Sequence, residues 1–180
     1  MTGVIIYKGK YGATQQYAEW LSAALRIPFV SADEFNGEIL RKYDFFVLGS
    51  SVYIGKLQLT KWLKQNQQFI EGKKIFLFQV AATPPRERNK RAAYNRASIP
   101  ETLFHHCDFY YLPGKMIMKH LSRWDRFMLK MGARLTKDPI AKKNMLTDFD
   151  DLNREAINEM LASINEYFAV PETRYAALGV

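Results

Sequence analysis

Short segments that are apolar at both odd and even positions place the strongest constraint on how this chain folds. A strand with one face in solvent alternates apolar and polar residues, whereas a segment without alternation must be covered on both faces. Stretches of helical period lie between these segments, which predicts alternating strands and helices. The expected strands are residues 2–7, 29–32, 44–49, 74–80 and 108–113. We therefore predict an α/β fold with a parallel sheet covered by helices on both sides.

Helical patterns separate and follow these strands. They lie at about residues 13–25, 57–70, 86–97, 121–136 and 148–168. A chain of 180 residues can bury a sizeable core in one domain, to which we assign residues 1–169. Residues 170–180 are expected to be a C-terminal tail. Hydrophobic residues make up 48% of the chain and charged residues 24%, a balance typical of a globular domain.

Composition excludes several classes of protein. No apolar run approaches the roughly 20 residues that a transmembrane helix requires, and the N-terminus lacks the charged-then-apolar pattern of a signal sequence. Cys107 is the only cysteine, so an internal disulfide is excluded and a cytoplasmic location is expected. The net charge of +8 favours anionic partners, among which we do not expect nucleic acid, although solubility alone would also explain this charge.

The first strand runs into a loop that opens directly into a helix. The loop consists of Lys8, Gly9, Lys10, Tyr11, Gly12, Ala13 and Thr14. Backbone N–H groups at such a turn converge on one spot, where the positive end of the helix dipole favours a phosphate. Gly9 and Gly12 allow a ligand to approach closely, while Thr14 adds a hydroxyl and the two lysines add charge. An ordinary strand-to-helix turn has the same pattern, so the loop alone does not decide between the two.

Two more loops follow strands at the same edge of the sheet. The second loop contains Ser50, Ser51, Val52, Tyr53, Ile54 and Gly55, and the third contains Ala81, Ala82 and Thr83. Open parallel sheets bind their ligands outside the carboxyl ends of the strands, near the point where the strand order reverses. We therefore expect all three loops to border one ligand.

Residues 121–136 combine an apolar stripe with a basic face. The stripe comprises Leu121, Trp124, Met128, Met131 and Leu135, and the basic face comprises Arg123, Arg126, Lys130 and Arg134. The simpler interpretation packs the stripe on the domain and leaves the basic face in solvent. The alternative is a surface helix that meets an anionic membrane or an acidic substrate, in which Arg123 and Arg126 would bind carboxylates. A second basic group beside the third loop comprises Arg86, Arg88, Lys90 and Arg91.

The chain offers little for hydrolytic or metal chemistry. His105, His106 and Cys107 are adjacent, and adjacent residues do not easily bind one ion in common geometry. We assign no metal site. The absence of G-x-S-x-G, of a Walker A motif and of paired catalytic carboxylates argues against a hydrolase. No side chain is assigned as a catalytic acid or base.

The two glycine-bearing loops and the element order together resemble the flavodoxin family over residues 1–169. The family's phosphate loop, Ser/Thr-x-Thr-Gly-x-Thr, is matched at Gly12 and Thr14, while Lys8 and Gly9 stand where hydroxyl residues are expected. The resemblance implies a three-layer αβα sandwich with strand order 2-1-3-4-5 and a bound flavin mononucleotide, FMN. It also implies that the phosphate binds the first loop and that Tyr53 stacks on the isoalloxazine ring.

Residues 113–137 look like an inserted basic helical segment and resemble the extra segment of the menaquinone-dependent protoporphyrinogen dehydrogenases. The resemblance is carried by Pro113-Gly114-Lys115 and by Arg123-Trp124-Asp125-Arg126-Phe127-Met128-Leu129-Lys130. It implies oxidation of a porphyrinogen, with a quinone as electron acceptor, by a protein that is peripheral at the inner face of the membrane. The propionates of such a substrate would bind Arg123 and Arg126.

Two other functions remain open at this point. One is a soluble flavodoxin that carries single electrons, but such carriers are typically acidic and a net charge of +8 fits that role poorly. The other is a scaffold of the same fold that has lost FMN and binds an anionic partner. The replacement of two hydroxyl residues by Lys8 and Gly9 favours this second alternative.

Overall fold

The computed structural model describes residues 1–83 and 86–169. The strands are β1 (Gly3–Lys8), β2 (Phe29–Ser31), β3 (Phe45–Tyr53), β4 (Lys56–Leu57), β5 (Lys74–Ala81), β6 (Cys107–Pro113), β7 (Lys115–Met116) and β8 (Phe149–Asp150). The helices are α1 (Ala13–Leu25), α2 (Thr60–Ile70), α3 (Arg88–Arg96), α4 (Glu101–Phe104), α5 (Arg123–Leu135), α6 (Pro139–Leu146) and α7 (Asn158–Ala169). Short 3-10 helices lie at Gly37–Lys42, Met118–His120 and Arg154–Ile157. The tail expected at residues 170–180 lies outside the described part of the chain.

The main sheet confirms the predicted fold. Its five principal strands are parallel in the order β2-β1-β3-β5-β6, which is the expected order 2-1-3-4-5 once the two-residue strand β4 is set aside. The N-terminal helix was predicted at residues 13–25 and forms as α1 with those bounds. The first three helices and the fifth strand also lie close to their predicted positions. Apolar segments without alternation were therefore sufficient to predict the parallel sheet, and the resemblance to the flavodoxin family supplied its strand order.

Two apolar clusters cover the two faces of the sheet. Even-numbered residues of β1 and β3, such as Val4 and Phe46, pack against α2 and α4. Odd-numbered residues of the same strands, such as Ile5 and Val47, pack against α1 and α7. Because successive side chains of a strand point to opposite faces, a strand covered on both sides must be apolar at every position. This explains why the segments in the sequence do not alternate.

The second loop differs from its prediction. β3 continues to Tyr53 and pairs antiparallel with β4, so that Val52 lies opposite Leu57. The turn between the two strands is reduced to Ile54 and Gly55, whose φ angles are 48° and 74°. The prediction of a loop over residues 50–55 was therefore wrong for its first four residues. The helix expected from residue 57 begins only at Thr60, since Leu57 is engaged in the hairpin.

A segment between β6 and α7, which we call the insertion (residues 114–150), folds over the carboxyl edge of the sheet. It contains α5 and α6 and is closed by antiparallel pairing of β7 with β8. A helix was expected over residues 148–168, but α7 begins at Asn158 because Phe149 and Asp150 pair with β7. α6 was not predicted either, although Pro139 at its first position is a favoured helix start. Within the described ranges, no helix is long and apolar enough to cross a membrane.

Candidate functional site

A cavity of about 460 Å³ lies at the carboxyl ends of β1, β3 and β5, beneath the insertion. This volume falls within the range of about 300–1,000 Å³ typical of small-molecule sites. Predicted residues from all three loops line the cavity, namely Lys10, Tyr11, Ala13, Thr14, Ser51, Val52, Tyr53, Ile54, Ala81 and Ala82. Thr83 lines a neighbouring cavity, whereas Lys8, Gly9, Gly12, Ser50 and Gly55 line neither cavity. The three loops thus border one space.

The first loop places the N-terminus of α1 at this cavity. Gly12 precedes the helix with a φ angle of 84°, a left-handed conformation that favours glycine. Its carbonyl accepts the first helical hydrogen bond, from the N–H of Gln16 at 2.9 Å. The N–H groups of the first turn have no acceptor within the helix and point towards its N-terminal end. This arrangement is suited to binding an anion.

Two hydroxyl groups beside this helix end have unused hydrogen-bonding capacity. Thr14 Oγ1 and Ser51 Oγ are buried and have no hydrogen-bond partner. A Cβ atom on Gly9 would lie 2.5 Å from Thr14 Oγ1 and 3.7 Å from Ser51 Oγ, so glycine is required for the close packing of this loop. A buried hydroxyl without a partner costs roughly 1–3 kcal/mol. A phosphate oxygen at the helix N-terminus would satisfy both groups, so these residues fit a phosphate-bearing cofactor.

Two other polar residues of the loops are engaged within the protein. Lys8 forms an ion pair with Asp33, in the turn that follows β2. Ser50 Oγ accepts a hydrogen bond from the N–H of Leu59 at 3.2 Å and donates to the carbonyl of Ser51. Neither side chain lines the cavity. The contribution expected from Lys8 to the charge of the phosphate site is therefore reduced.

A carboxylate from the insertion enters the site. Asp125, in the first turn of α5, is only 5% exposed. Its Oδ2 accepts hydrogen bonds from Lys10 Nζ at 2.6 Å and from the Tyr11 hydroxyl, and its Oδ1 accepts one from the Tyr53 hydroxyl at 2.7 Å. Burial alone would raise the pKa of Asp125, but these three donors outweigh it and lower the pKa to about 2. The carboxylate is therefore ionised at neutral pH.

Tyr53 is oriented by this contact and by a cation. Lys10 Nζ lies 5.0 Å from the centroid of the Tyr53 ring, in a cation–π arrangement. The hydrogen bond to Asp125 stabilises the neutral phenol and raises the pKa of Tyr53, with burial adding to the effect. Tyr53 remains protonated at neutral pH and presents its ring to the cavity.

The insertion supplies an apolar roof that the sequence alone did not reveal. Its contribution consists of Met116, Leu121, Met128, Leu129, Met145 and Phe149. Asp125 was also missed as a site residue. A signal was available, because Ser122 caps α5 by accepting a hydrogen bond from the Asp125 N–H at 3.1 Å, and this fixes Asp125 in the first helical turn. Around the helix, Asp125 points at least a quarter-turn away from both Arg123 and Arg126, which indicates that it lies on the opposite, inner face.

The outer face of α5 is exposed. Trp124 is 60% exposed, Phe127 52% and Leu135 79%. The simpler interpretation, in which the apolar stripe packs on the domain, holds only in part: Leu121 is buried and Met128 lines the cavity, whereas Trp124, Met131 and Leu135 are exposed. Asp125 and Ala133 also turn inwards. Arg123, Arg126 and Lys130 surround Phe127 in a shallow surface concavity of about 290 Å³. Neither Arg123 nor Arg126 lines the main cavity.

The second basic group and the histidine–cysteine cluster lie apart from the main cavity. Arg86 and Arg88 are exposed near the start of α3. Arg91 of the same group lines a neighbouring cavity of about 500 Å³ and donates to the carbonyl of Thr83 at 2.8 Å. Cys107 is half-buried, and burial raises the pKa of its thiol to about 12, so it is not a reactive thiolate. Among the described residues, no group of three or more His, Cys, Asp or Glu could hold a metal ion.

The sheet order, the anion-suited helix end and the cavity at the carboxyl edge define the flavodoxin-like class of α/β proteins. Comparison with family models agrees, since residues 4–142 match the family described as Flavodoxin domain. The chain therefore belongs to that family. No curated protein sequence matches the chain.

Solved structures with this fold resemble the chain only distantly in sequence. Two-electron reduced flavodoxin from Megasphaera elsdenii is 14% identical, with a TM-score of 0.47 over 63% of this chain and 85% of that one. The Trp repressor binding protein of Bacillus subtilis is 16% identical, with a TM-score of 0.47 over 63% and 83%. A flavoprotein from Lactobacillus acidophilus, solved in complex with FMN, is 13% identical, with a TM-score of 0.45 over 63% and 92%.

Proposed function

We propose that the protein binds FMN and acts as an oxidoreductase. The observation that carries this proposal is the pair of buried hydroxyls without partners, Thr14 Oγ1 and Ser51 Oγ, beside the N-terminus of α1. Membership of the flavodoxin domain family supports the same cofactor. When bound, FMN supplies the redox chemistry, and the protein supplies position and electrostatics.

The lining of the cavity supports a role for each of several residues. The N–H groups at the start of α1, with Thr14 and Ser51, would hold the phosphate. Tyr53 would lie against the flavin ring, and the small side chains of Ala81 and Ala82 leave room for its edge. The apolar roof of the insertion would exclude water from the ring. Such cover favours an enclosed substrate over a partner protein that docks to exchange single electrons.

The substrate class is the finer part of the proposal. We propose a porphyrinogen, with a quinone as electron acceptor, on the basis of the Trp-Asp-Arg-Phe-Met run and the apolar lining beneath it. Both molecules carry extensive apolar surface, which an apolar roof suits. Arg123 and Arg126 face away from the cavity and so support a surface role better than contact with a substrate held there.

The outer face of α5 also favours peripheral contact with an anionic membrane. Trp124 and Phe127 are exposed, with their ring centroids 5.8 Å apart, and arginines and a lysine flank them. An exposed apolar face bordered by cations is the pattern of helices that lie in a membrane interface. This orientation would leave the inner face of α5 towards the flavin cavity.

Absorption and fluorescence titration test the cofactor. Purified protein with added FMN should show flavin absorption, and FMN should bind more tightly than riboflavin, since riboflavin lacks the phosphate. Turnover of protoporphyrinogen with a menaquinone analogue tests the substrate, and Tyr53→Ala should increase the fluorescence of bound flavin. A protein that takes up neither flavin would exclude the enzyme and favour the scaffold alternative. A protein that binds FMN but exchanges single electrons without oxidising the porphyrinogen would favour the carrier.

A further inference from the structure

We propose that Asp125 is a positioning residue that latches the insertion over the cofactor cavity. One carboxylate from α5 binds three donors that belong to the first and second loops, and it thereby sets both the closure of the cavity and the orientation of Lys10 and Tyr53. Its effect on flavin rests on the proposed function, whereas its effect on closure does not.

The contacts use the whole carboxylate. Oδ1 accepts a hydrogen bond from the Tyr53 hydroxyl, and Oδ2 accepts hydrogen bonds from Lys10 Nζ and the Tyr11 hydroxyl. The Tyr11 oxygen in turn accepts a hydrogen bond from the N–H of Ser122 at 3.2 Å, and the Ser122 hydroxyl caps the helix that carries Asp125. The start of α5 is therefore tied to both loops by a closed set of hydrogen bonds.

The position of the latch within α5 explains why a polar residue is needed there. The side of α5 that faces the cavity is otherwise apolar, with Met128 and Leu129 lining the space beside Leu121, which precedes the helix. Apolar contact is not directional, so it does not by itself determine the position of a helix along or around its axis over an apolar cavity. Charge-assisted hydrogen bonds are directional and stronger than neutral ones, so Asp125 specifies where the start of α5 sits.

The latch also determines how the phosphate charge is balanced. Lys10 was expected to contribute its charge to the phosphate, but its ammonium group already pairs with Asp125 at 2.6 Å. Backbone N–H groups and the hydroxyls of Thr14 and Ser51 therefore carry most of the phosphate binding. Removing the charge of Asp125 would release Lys10 as well as the helix.

The test uses hydrogen exchange of the protein without added flavin, so that it is independent of the cofactor. In D125N, exchange over residues 118–136 should rise by roughly tenfold, because a charge-assisted bond that closes a segment sets its opening equilibrium. D108N is the matched control, since Asp108 pairs with Lys74 at 2.8 Å away from the insertion. Unchanged exchange across β1, β3 and β5 in both variants shows that the sheet remains folded.

Two further variants separate the latch from a general loss of packing. Tyr53→Phe removes one of the three donors, and it should produce a smaller rise in exchange over the same residues. In a Lys10→Met background the effect of D125N should shrink, because the two residues act through one contact. The latch would be overturned if α5 exchanged equally fast in D125N and D108N. It would also be overturned if the effects of Lys10→Met and D125N on exchange were additive.

Iodide quenching of bound flavin then tests the consequence for the cofactor. D125N should increase the accessibility of the flavin severalfold relative to D108N, and it should increase the preference for FMN over riboflavin, since Lys10 becomes free to meet the phosphate. A rise in α5 exchange in a protein that binds no flavin supports the latch and overturns the proposed function. If the protein binds flavin but D125N and D108N do not differ in exchange or in quenching, the latch is overturned and the proposed function is not.

Discussion

Phe46 in β3 and Phe127 in α5 are the same side chain, yet Phe46 is fully buried and Phe127 is 52% exposed. Phe46 belongs to a cluster covered on every side by strands and helices. Phe127 lies on the outer face of the insertion, surrounded by Arg123, Arg126 and Lys130. The sheet is therefore held by apolar packing, whereas the insertion is positioned by polar contacts and keeps apolar residues on its surface. Regions built in these two ways should respond differently to mutation.

Truncation of the two phenylalanines gives the largest expected contrast. Phe46→Ala should lower the free energy of unfolding by about 3–5 kcal/mol, because it removes contacts and leaves a cavity. Phe127→Ala should change it by less than about 0.5 kcal/mol, since an exposed residue loses little on truncation. Urea unfolding of both variants measures the difference. Comparable losses would mean that the insertion is as tightly packed as the sheet.

The acid dependence of stability separates Asp125 from the apolar core. Its folded pKa of about 2 lies below its usual value of 3.8, so its contribution is present above the usual value and is lost as the pH falls through about 2. The contribution at neutral pH is about 2 kcal/mol. Wild-type stability should therefore fall more than that of D125N between pH 4 and 2, a window that follows from these two pKa values. Parallel acid curves for the two proteins would contradict this.

Loss of a hydroxyl at the helix N-terminus should act on FMN and not on the fold. Thr14→Ser keeps the hydroxyl and is the matched control for Thr14→Ala. Thr14→Ala should weaken FMN binding by about 1.5–3 kcal/mol, the value of a hydrogen bond to a charged group. Riboflavin binding should hardly change. A loss shared equally by the two flavins would place Thr14 away from the phosphate.

Charge reversal on the outer face of α5 should have the smallest effect on stability. Exposed charges contribute little, so Arg123→Glu with Arg126→Glu should change unfolding by less than about 0.5 kcal/mol. The same pair should reduce co-sedimentation with anionic vesicles, most strongly at low salt.

Arg86→Glu with Arg88→Glu is the control for net charge, because it changes the total charge equally at another exposed site. Equal losses of vesicle binding in the two double variants would show that net charge decides, and would remove α5 as a membrane surface.

The local hydrophobic pattern of the sequence was sufficient to predict the strands of the sheet. Apolar runs without alternation, such as those at β1 and β3, determined the strands, and α1 followed from its helical period. The site was predictable where it depends on the element order, as for Thr14 and Tyr53, since consecutive parallel strands bring their carboxyl ends to one edge. The end of β3 was not predictable from its apolar content, because pairing with β4 decides it.

The sequence by itself thus determined the sandwich and the three loops that meet at one edge, and its resemblance to the flavodoxin family determined the strand order. Tertiary structure decided which face of α5 turns inwards, since both faces of that helix carry apolar residues and the stripe predicted from periodicity is divided between them. It also decided the partner of Lys10. Asp125 lies 115 residues away along the chain, and only the folded insertion brings its carboxylate to the loop. A contact between residues so far apart leaves no local pattern, because it depends on the path of everything between them.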